Sequence, residues 1–148
     1  MIRYIKSFLN ESEIDYLKSL IYESELKFHT DKVYKFYYLD IINKDLNIKN
    51  FNDFSFKKFR IQMVNETINQ VQEYHGHVNP WSFIVFLNED FVGGEVIFEN
   101  KIFKPKKGDM IYFSGEELHK VNNCIGNRYT LVGFMENNPL NIKPKNII

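Results

Sequence analysis

The sequence holds no alanine, one cysteine, one tryptophan and only three arginines among its 148 residues. A lone cysteine, Cys124, excludes a disulfide framework within the chain and makes a reducing compartment the default expectation. The lack of alanine removes the best helix former, so helix propensity is a weak guide. No run of about 18 apolar residues occurs, so no membrane span is expected. The opening stretch MIRYIKSFLNESE meets charged residues too early to read as a signal peptide. There is no excess of charge of either sign: Lys+Arg and Asp+Glu are 19 each and the net charge is +0. That balance disfavours a strongly basic nucleic-acid binder and an acidic tail protein.

What is present is a core. Hydrophobic residues make up 44% and aromatic residues 16%, which excludes a disordered chain, and the length suits one domain, expected over 1–148. Residues 2–5 read as a first strand. Asn10 or Ser12 can cap a helix expected over about 11–24, with Ile14, Leu17, Leu20 and Ile21 at helical spacing and acidic residues in its first turn. Residues 33–39 read as a strand, and a short helix is expected near 51–58. From residue 59 the pattern becomes β: FRIQMVN, WSFIVFLN, EVIFE, IFKP, MIYFS and RYTLVGFM are separated by Gly, Asn, Asp and Pro signals. Short strands at that spacing predict an all-β sandwich or barrel preceded by a helix. The last stretch, about 137–148, reads as a polar tail.

Four histidines occur, and three lie in the β-rich half. On a strand, His75 and His77 point to one face and both imidazoles can reach one metal ion. His119 follows the MIYFS strand at the start of a loop, and a two-plus-one set of this kind builds a three-ligand site with open positions. Arg128 opens the last strand with Thr130 on the same face; a guanidinium beside a hydroxyl is a good carboxylate receptor. Cys124 sits in a loop with no base beside it, so no nucleophile is expected there. Lys106 and Lys107 read as a solvated turn, and Trp81 as core, with a place at the pocket mouth as the alternative.

The stretches YHGHVNPWSFIVFLNEDFVGGEVIF, FKPKKGDMIYFSGEELHKV and GNRYTLVGF, in that order and spacing, resemble the Fe(II)/2-oxoglutarate dioxygenase superfamily, specifically its small prolyl-4-hydroxylase-like members. The opening IRYIKSFLNESEIDYLKSLI is similar to that family's N-terminal strand and helix. The resemblance implies a mainly β (α+β) chain: a double-stranded β-helix, the jelly-roll or cupin-like core, over about 59–136, with one or two N-terminal helices packed on it. It implies Fe(II) held by His75, His77 and His119, and 2-oxoglutarate as co-substrate with its far carboxylate on Arg128 and Thr130. The activity implied is hydroxylation of a C–H bond in a small-molecule or peptide substrate.

Two positions depart from the family pattern. His77 stands where Asp or Glu is usual, giving three neutral imidazoles that suit Zn, Cu and Ni as well as Fe(II). Phe86 stands where many relatives carry a tyrosine that helps bind the oxoacid. An alternative register makes His77-Val78-Asn79 the metal turn, with Asn79 in the carboxylate position. His29-Thr30-Asp31 is a literal H-x-D that lacks a following Gly-Gly-Glu turn and reads as surface loop. The rival functional readings are a cupin-like three-His metal protein without 2-oxoglutarate and a non-catalytic jelly-roll binding module. The expected setting is cytoplasmic, or a host cytoplasm if the chain is phage- or virus-encoded.

Overall fold

The computed structural model describes residues 1–31, 35–41, 48–52, 56–68, 74–76 and 81–135. The chain runs β1 (Ile2–Ile5), α1 (Glu11–Tyr22), β2 (Lys27–Thr30), β3 (Lys35–Ile41), β4 (Phe56–Val64), β5 (Trp81–Phe86), β6 (Val92–Gly93), β7 (Val96–Phe98), β8 (Ile102–Phe103), β9 (Met110–Ser114), β10 (His119–Val121), β11 (Cys124–Ile125) and β12 (Arg128–Met135). Helix α1 starts at Asn10 because a capping box closes there. The Glu13 amide donates to the Asn10 side chain and the Asn10 amide donates to the Glu13 carboxylate, each at 2.9 Å. Its buried stripe is Ile14, Leu17 and Ile21.

Seven strands form one antiparallel sheet in the order β1-β9-β5-β12-β4-β3-β2. One face carries Phe83, Val85, Met110, Tyr112 and Leu131 into the same core as the α1 stripe. On the other face Ile84, Phe86, Ile111 and Phe113 pack with Val96 and Phe98 of a three-stranded sheet ordered β10-β7-β8. Burial on both faces is why WSFIVFLN is a nearly continuous apolar run rather than an alternation. A two-stranded pair, β11-β6, completes the described pairing.

The expected double-stranded β-helix core is corrected by this pairing. Among the described residues the ladders divide into sheets of seven, three and two strands, and none closes into a barrel or curls on itself. The fold is a mixed, sheet-rich α/β arrangement with one long helix. Strand spacing counts strands but does not say which edges join. Here residues 27–41 add β2 and β3 beyond β4, and β1 ends the opposite side, so the strands extend one sheet instead of closing it.

Smaller corrections follow from the same ladders. The short helix near 51–58 is replaced by a 3-10 turn at Lys49–Phe51 and by β4, which already begins at Phe56. His119 starts strand β10 rather than a loop, Cys124 starts β11, and His29 lies in β2. The polar tail lies outside the described residues.

Candidate active site

The site is built around β12, the central strand of the large sheet. Thr130 pairs with Gln62 of β4 on one side and with Phe86 of β5 on the other. Alternation then sends Arg128, Thr130 and Val132 to one face, where they line a narrow cavity of about 60 Å³ together with His75, His119 and Ser82. Trp81 packs instead against the α1 side, in agreement with its reading as core.

His75 and His119 meet across an isolated antiparallel bridge. Each amide donates to the other's carbonyl at 3.0 Å, so the two Cβ atoms face the same way. Their ring centroids are 4.4 Å apart. His119 is 4% exposed, and its ring rests against Phe113 at 4.7 Å. Its Nδ1 lies 3.2 Å from the Glu117 carbonyl. A carbonyl only accepts, so Nδ1 carries the proton in the neutral ring and the lone pair sits on Nε2, the arrangement of a metal-ligating histidine. His77 and Asn79 lie outside the described residues. Among the described residues no group of three or more His, Cys, Asp or Glu side chains is placed to hold a metal ion. The structure therefore brings together two of the three histidines singled out in the sequence, and both oxoacid-binding candidates beside them.

Arg128 is 5% exposed. Its Nε donates to the Gly94 carbonyl at 3.1 Å, and its guanidinium lies over the Phe86 ring at 5.6 Å. Nη2 is buried and has no hydrogen-bond partner among the described residues. Burial pulls the guanidinium down from its ordinary range to about 10, against the opposing influence of Cys124 and Glu95. Arg128 lines the cavity, and a buried cation with an idle donor is costly unless an anion completes it. That is the fit expected of a carboxylate receptor, and Phe86 contributes its ring face to the cation rather than a hydroxyl to the oxoacid.

Three turns hold this arginine. Gly94 has φ +73°, and a Cβ there would meet Arg128 Cδ at 2.8 Å; the Gly-Gly turn lets the arginine stem lie on bare backbone. The Asn88 amide donates to the Asn127 carbonyl at 2.8 Å, and its oxygen accepts from the Tyr129 amide at 2.9 Å, which clips the residues flanking Arg128. In the Lys-Pro-Lys-Lys-Gly-Asp turn, Gly108 and Asp109 exchange backbone bonds with Phe86 at 2.8 and 3.1 Å. Buried Asp109 also accepts from the Tyr4 hydroxyl, and from the Ser7 amide at 2.8 Å. Gln62 and Phe36 of the cavity wall were not singled out in the sequence; the alternation along β4 is the signal that points to Gln62.

The literal H-x-D is a local pair. His29 Nε2 and the Asp31 carboxylate are 2.8 Å apart, and the His29 ring stacks on Phe36 at 4.7 Å. His29 belongs to the outermost strand β2, and neither residue lines the cavity.

Solved structures share this fold. An oxidoreductase of the 2OG-Fe(II) oxygenase family from Burkholderia pseudomallei matches with a TM-score of 0.71 and 15% identity, covering 93% of this chain and 86% of its own. A Pseudomonas putida prolyl-4-hydroxylase matches at 0.69 and 14%, covering 93% of both chains. A viral collagen prolyl hydroxylase from Paramecium Bursaria Chlorella virus-1 matches at 0.55 and 18%, covering 90% of this chain and 87% of its own. Among curated proteins, no sequence matches the chain. The sequence model of the 2OG-Fe(II) oxygenase superfamily spans residues 17–136, and the chain belongs to that superfamily. Its general chemistry is the oxidoreductase chemistry of that class. No helix among the described residues is long and apolar enough to cross a membrane.

Proposed function

We propose that this chain is a small prolyl-4-hydroxylase-like oxygenase that uses Fe(II) and 2-oxoglutarate to hydroxylate a C–H bond, with a prolyl or other amino-acid side chain of a peptide as the favoured substrate. His75, His77 and His119 are the metal ligands, in an H-x-H variant of the family turn. Arg128 and Thr130 take the far carboxylate of 2-oxoglutarate. The observation that carries the reading is Arg128, a buried cation with an unused Nη2 on the wall of the cavity that also receives His75 and His119. Dioxygen is the oxidant; the bound metal would activate it, and 2-oxoglutarate would supply the two balancing electrons as it loses carbon dioxide and is oxidised to succinate.

The chain's own residues bind, orient and keep water out. The Glu117 carbonyl holds the His119 tautomer, and the His75–His119 bridge fixes the two rings side by side. Arg128 offers a charge-assisted donor that the oxoacid dianion would satisfy. Three imidazoles bring no negative charge to a divalent ion, so the dianion would also supply the compensation that a carboxylate ligand gives elsewhere in the family. Phe113, Val132 and Phe134 make the surrounding wall apolar. Likeness in fold to the Pseudomonas putida prolyl-4-hydroxylase supports the substrate class. A cytoplasmic setting belongs to the same proposal.

The test is anaerobic titration of the protein with Fe(II) and then 2-oxoglutarate, followed by the visible charge-transfer band of the iron–oxoacid chelate. The band is expected in the wild type and absent in His119→Ala. Arg128→Lys should weaken the oxoacid by roughly tenfold and Arg128→Ala by roughly a hundredfold, as expected for loss of a buried charge-assisted pair. Metal binding with no band at saturating oxoacid would sink the 2-oxoglutarate role.

A further inference from the structure

A second and larger cavity, about 320 Å³, shares no lining residue with the first. It opens between two sheet edges. β1 ends the seven-stranded sheet, and β8 ends the three-stranded one. Its floor is apolar: Ile2, Tyr4, Ile102 and Phe103, with Ile102 left 66% exposed. Its rim is cationic: Lys6 on the β1 side and Lys101, Lys104 and Lys106 on the β8 side. None of the four forms an ion pair or hydrogen bond through its side chain among the described residues. The one carboxylate that lines the cavity, Asp109, is 6% exposed and committed to Tyr4 and Ser7. A chain of net charge +0 has gathered four cations, unpaired among the described residues, around one apolar trough.

We propose that this trough docks an acidic, extended peptide segment of a partner protein, added as a strand along β1. The edge supplies backbone donors and acceptors, the floor takes alternate apolar side chains, and the lysines take the acidic ones. Charge complementarity selects the occupant. A second copy of this chain would bring the same four lysines to the same edge and be repelled, which is how basic edge residues prevent self-association. A nucleic acid is disfavoured because the Tyr4 and Phe103 rings stack on each other with centroids 5.4 Å apart and offer no open platform for bases.

The probe is a fluorescein-labelled decapeptide of alternating glutamate and valine. Its controls are the same peptide with lysine for glutamate and a labelled oligothymidylate of equal charge, all read by fluorescence anisotropy on the full chain. The acidic peptide is expected to bind, to weaken as salt rises, and to lose roughly tenfold or more in affinity in the Lys101→Glu, Lys104→Glu double variant. Both positions are exposed, so unchanged thermal unfolding shows that the variant is folded. Hydrogen exchange of the Ile2–Ile5 amides should slow when the peptide is bound. Failure of the acidic peptide to bind, equal binding to the charge-reversed variant, tighter binding of the oligothymidylate, or binding without β1 protection would each overturn the proposal. None of these readouts depends on iron or 2-oxoglutarate, so they stand apart from the fate of the oxygenase reading.

Discussion

Replacing Arg128 by methionine should make the ligand-free protein more stable while removing its response to 2-oxoglutarate. The magnitude follows from the environment of the guanidinium. Its fall to about 10 is caused mainly by burial and corresponds to about 3 kcal/mol against the charged form. Methionine fills similar volume without a charge. The substitution loses the hydrogen bond to the Gly94 carbonyl, about 1.5 kcal/mol, and the contact with the Phe86 ring, about 0.5 kcal/mol. The net gain is about 1 kcal/mol, or about 2–4 °C in Tm for a domain of this size. Because the folded-state value is depressed, the penalty is present at every pH below about 10 and is relieved only as pH rises above that toward the ordinary guanidinium range. The gain should therefore be the same across the neutral range. Urea unfolding with and without manganese(II) and 2-oxoglutarate checks both halves. The wild type should gain about 2.7 kcal/mol at a hundred times Kd, and the variant nothing from the oxoacid. A ligand-free variant less stable than wild type by more than about 1 kcal/mol, yet still stabilised by 2-oxoglutarate, would refute the reasoning and make Arg128 a structural residue.

Two further substitutions test the turns that position the site. Asp109→Ala leaves the Tyr4 hydroxyl and the Ser7 amide without their acceptor and should cost about 2–3 kcal/mol in urea unfolding. Burial and then Asp109 raise the Tyr4 phenol above its ordinary value, so the same variant should bring its spectrophotometric titration back down. Gly94→Ala puts a Cβ within 2.8 Å of Arg128 Cδ at a φ of +73°. It should cost about 1–2 kcal/mol of stability and, in calorimetric titration, weaken 2-oxoglutarate by more than that cost explains.

The strands of the β-rich half were legible because both faces of the large sheet are buried, so WSFIVFLN and MIYFS stand out as apolar blocks between turn residues. Asn10 and Glu13 announced the helix by the chemistry of its cap. The two-residue strands β6 and β11 and the three-residue β10 were not legible. Segments that short carry no periodicity; β6 and β11 meet beside the turns at Gly93-Gly94 and Gly126, and β10 pairs with β7. Sheet closure was misjudged for a different reason. Whether strands extend one sheet or close a barrel depends on which distant edges pair, and local pattern is blind to that. At the site, the spacing of His119, Arg128 and Thr130 was readable and the structure places all three on one cavity with His75. The idle Nη2 of Arg128 was not readable, since it depends on what Phe86, Cys124 and the Gly94 turn leave around the guanidinium.

The position of β12 has a consequence for synthesis. It is the latest of the described strands to be made, Arg128–Met135, yet it lies between β5 and β4 and joins the two halves of the large sheet. Until those residues leave the ribosome, β4 and β5 both present unpaired edges, and β5 carries five buried positions out of six. The nascent chain is thus at its most adhesive just before completion of the sheet, and its folding waits on the strand that carries Arg128. Translation stalled shortly before residue 128 would leave a chaperone substrate, whereas arrest well beyond residue 135 would leave a folded one.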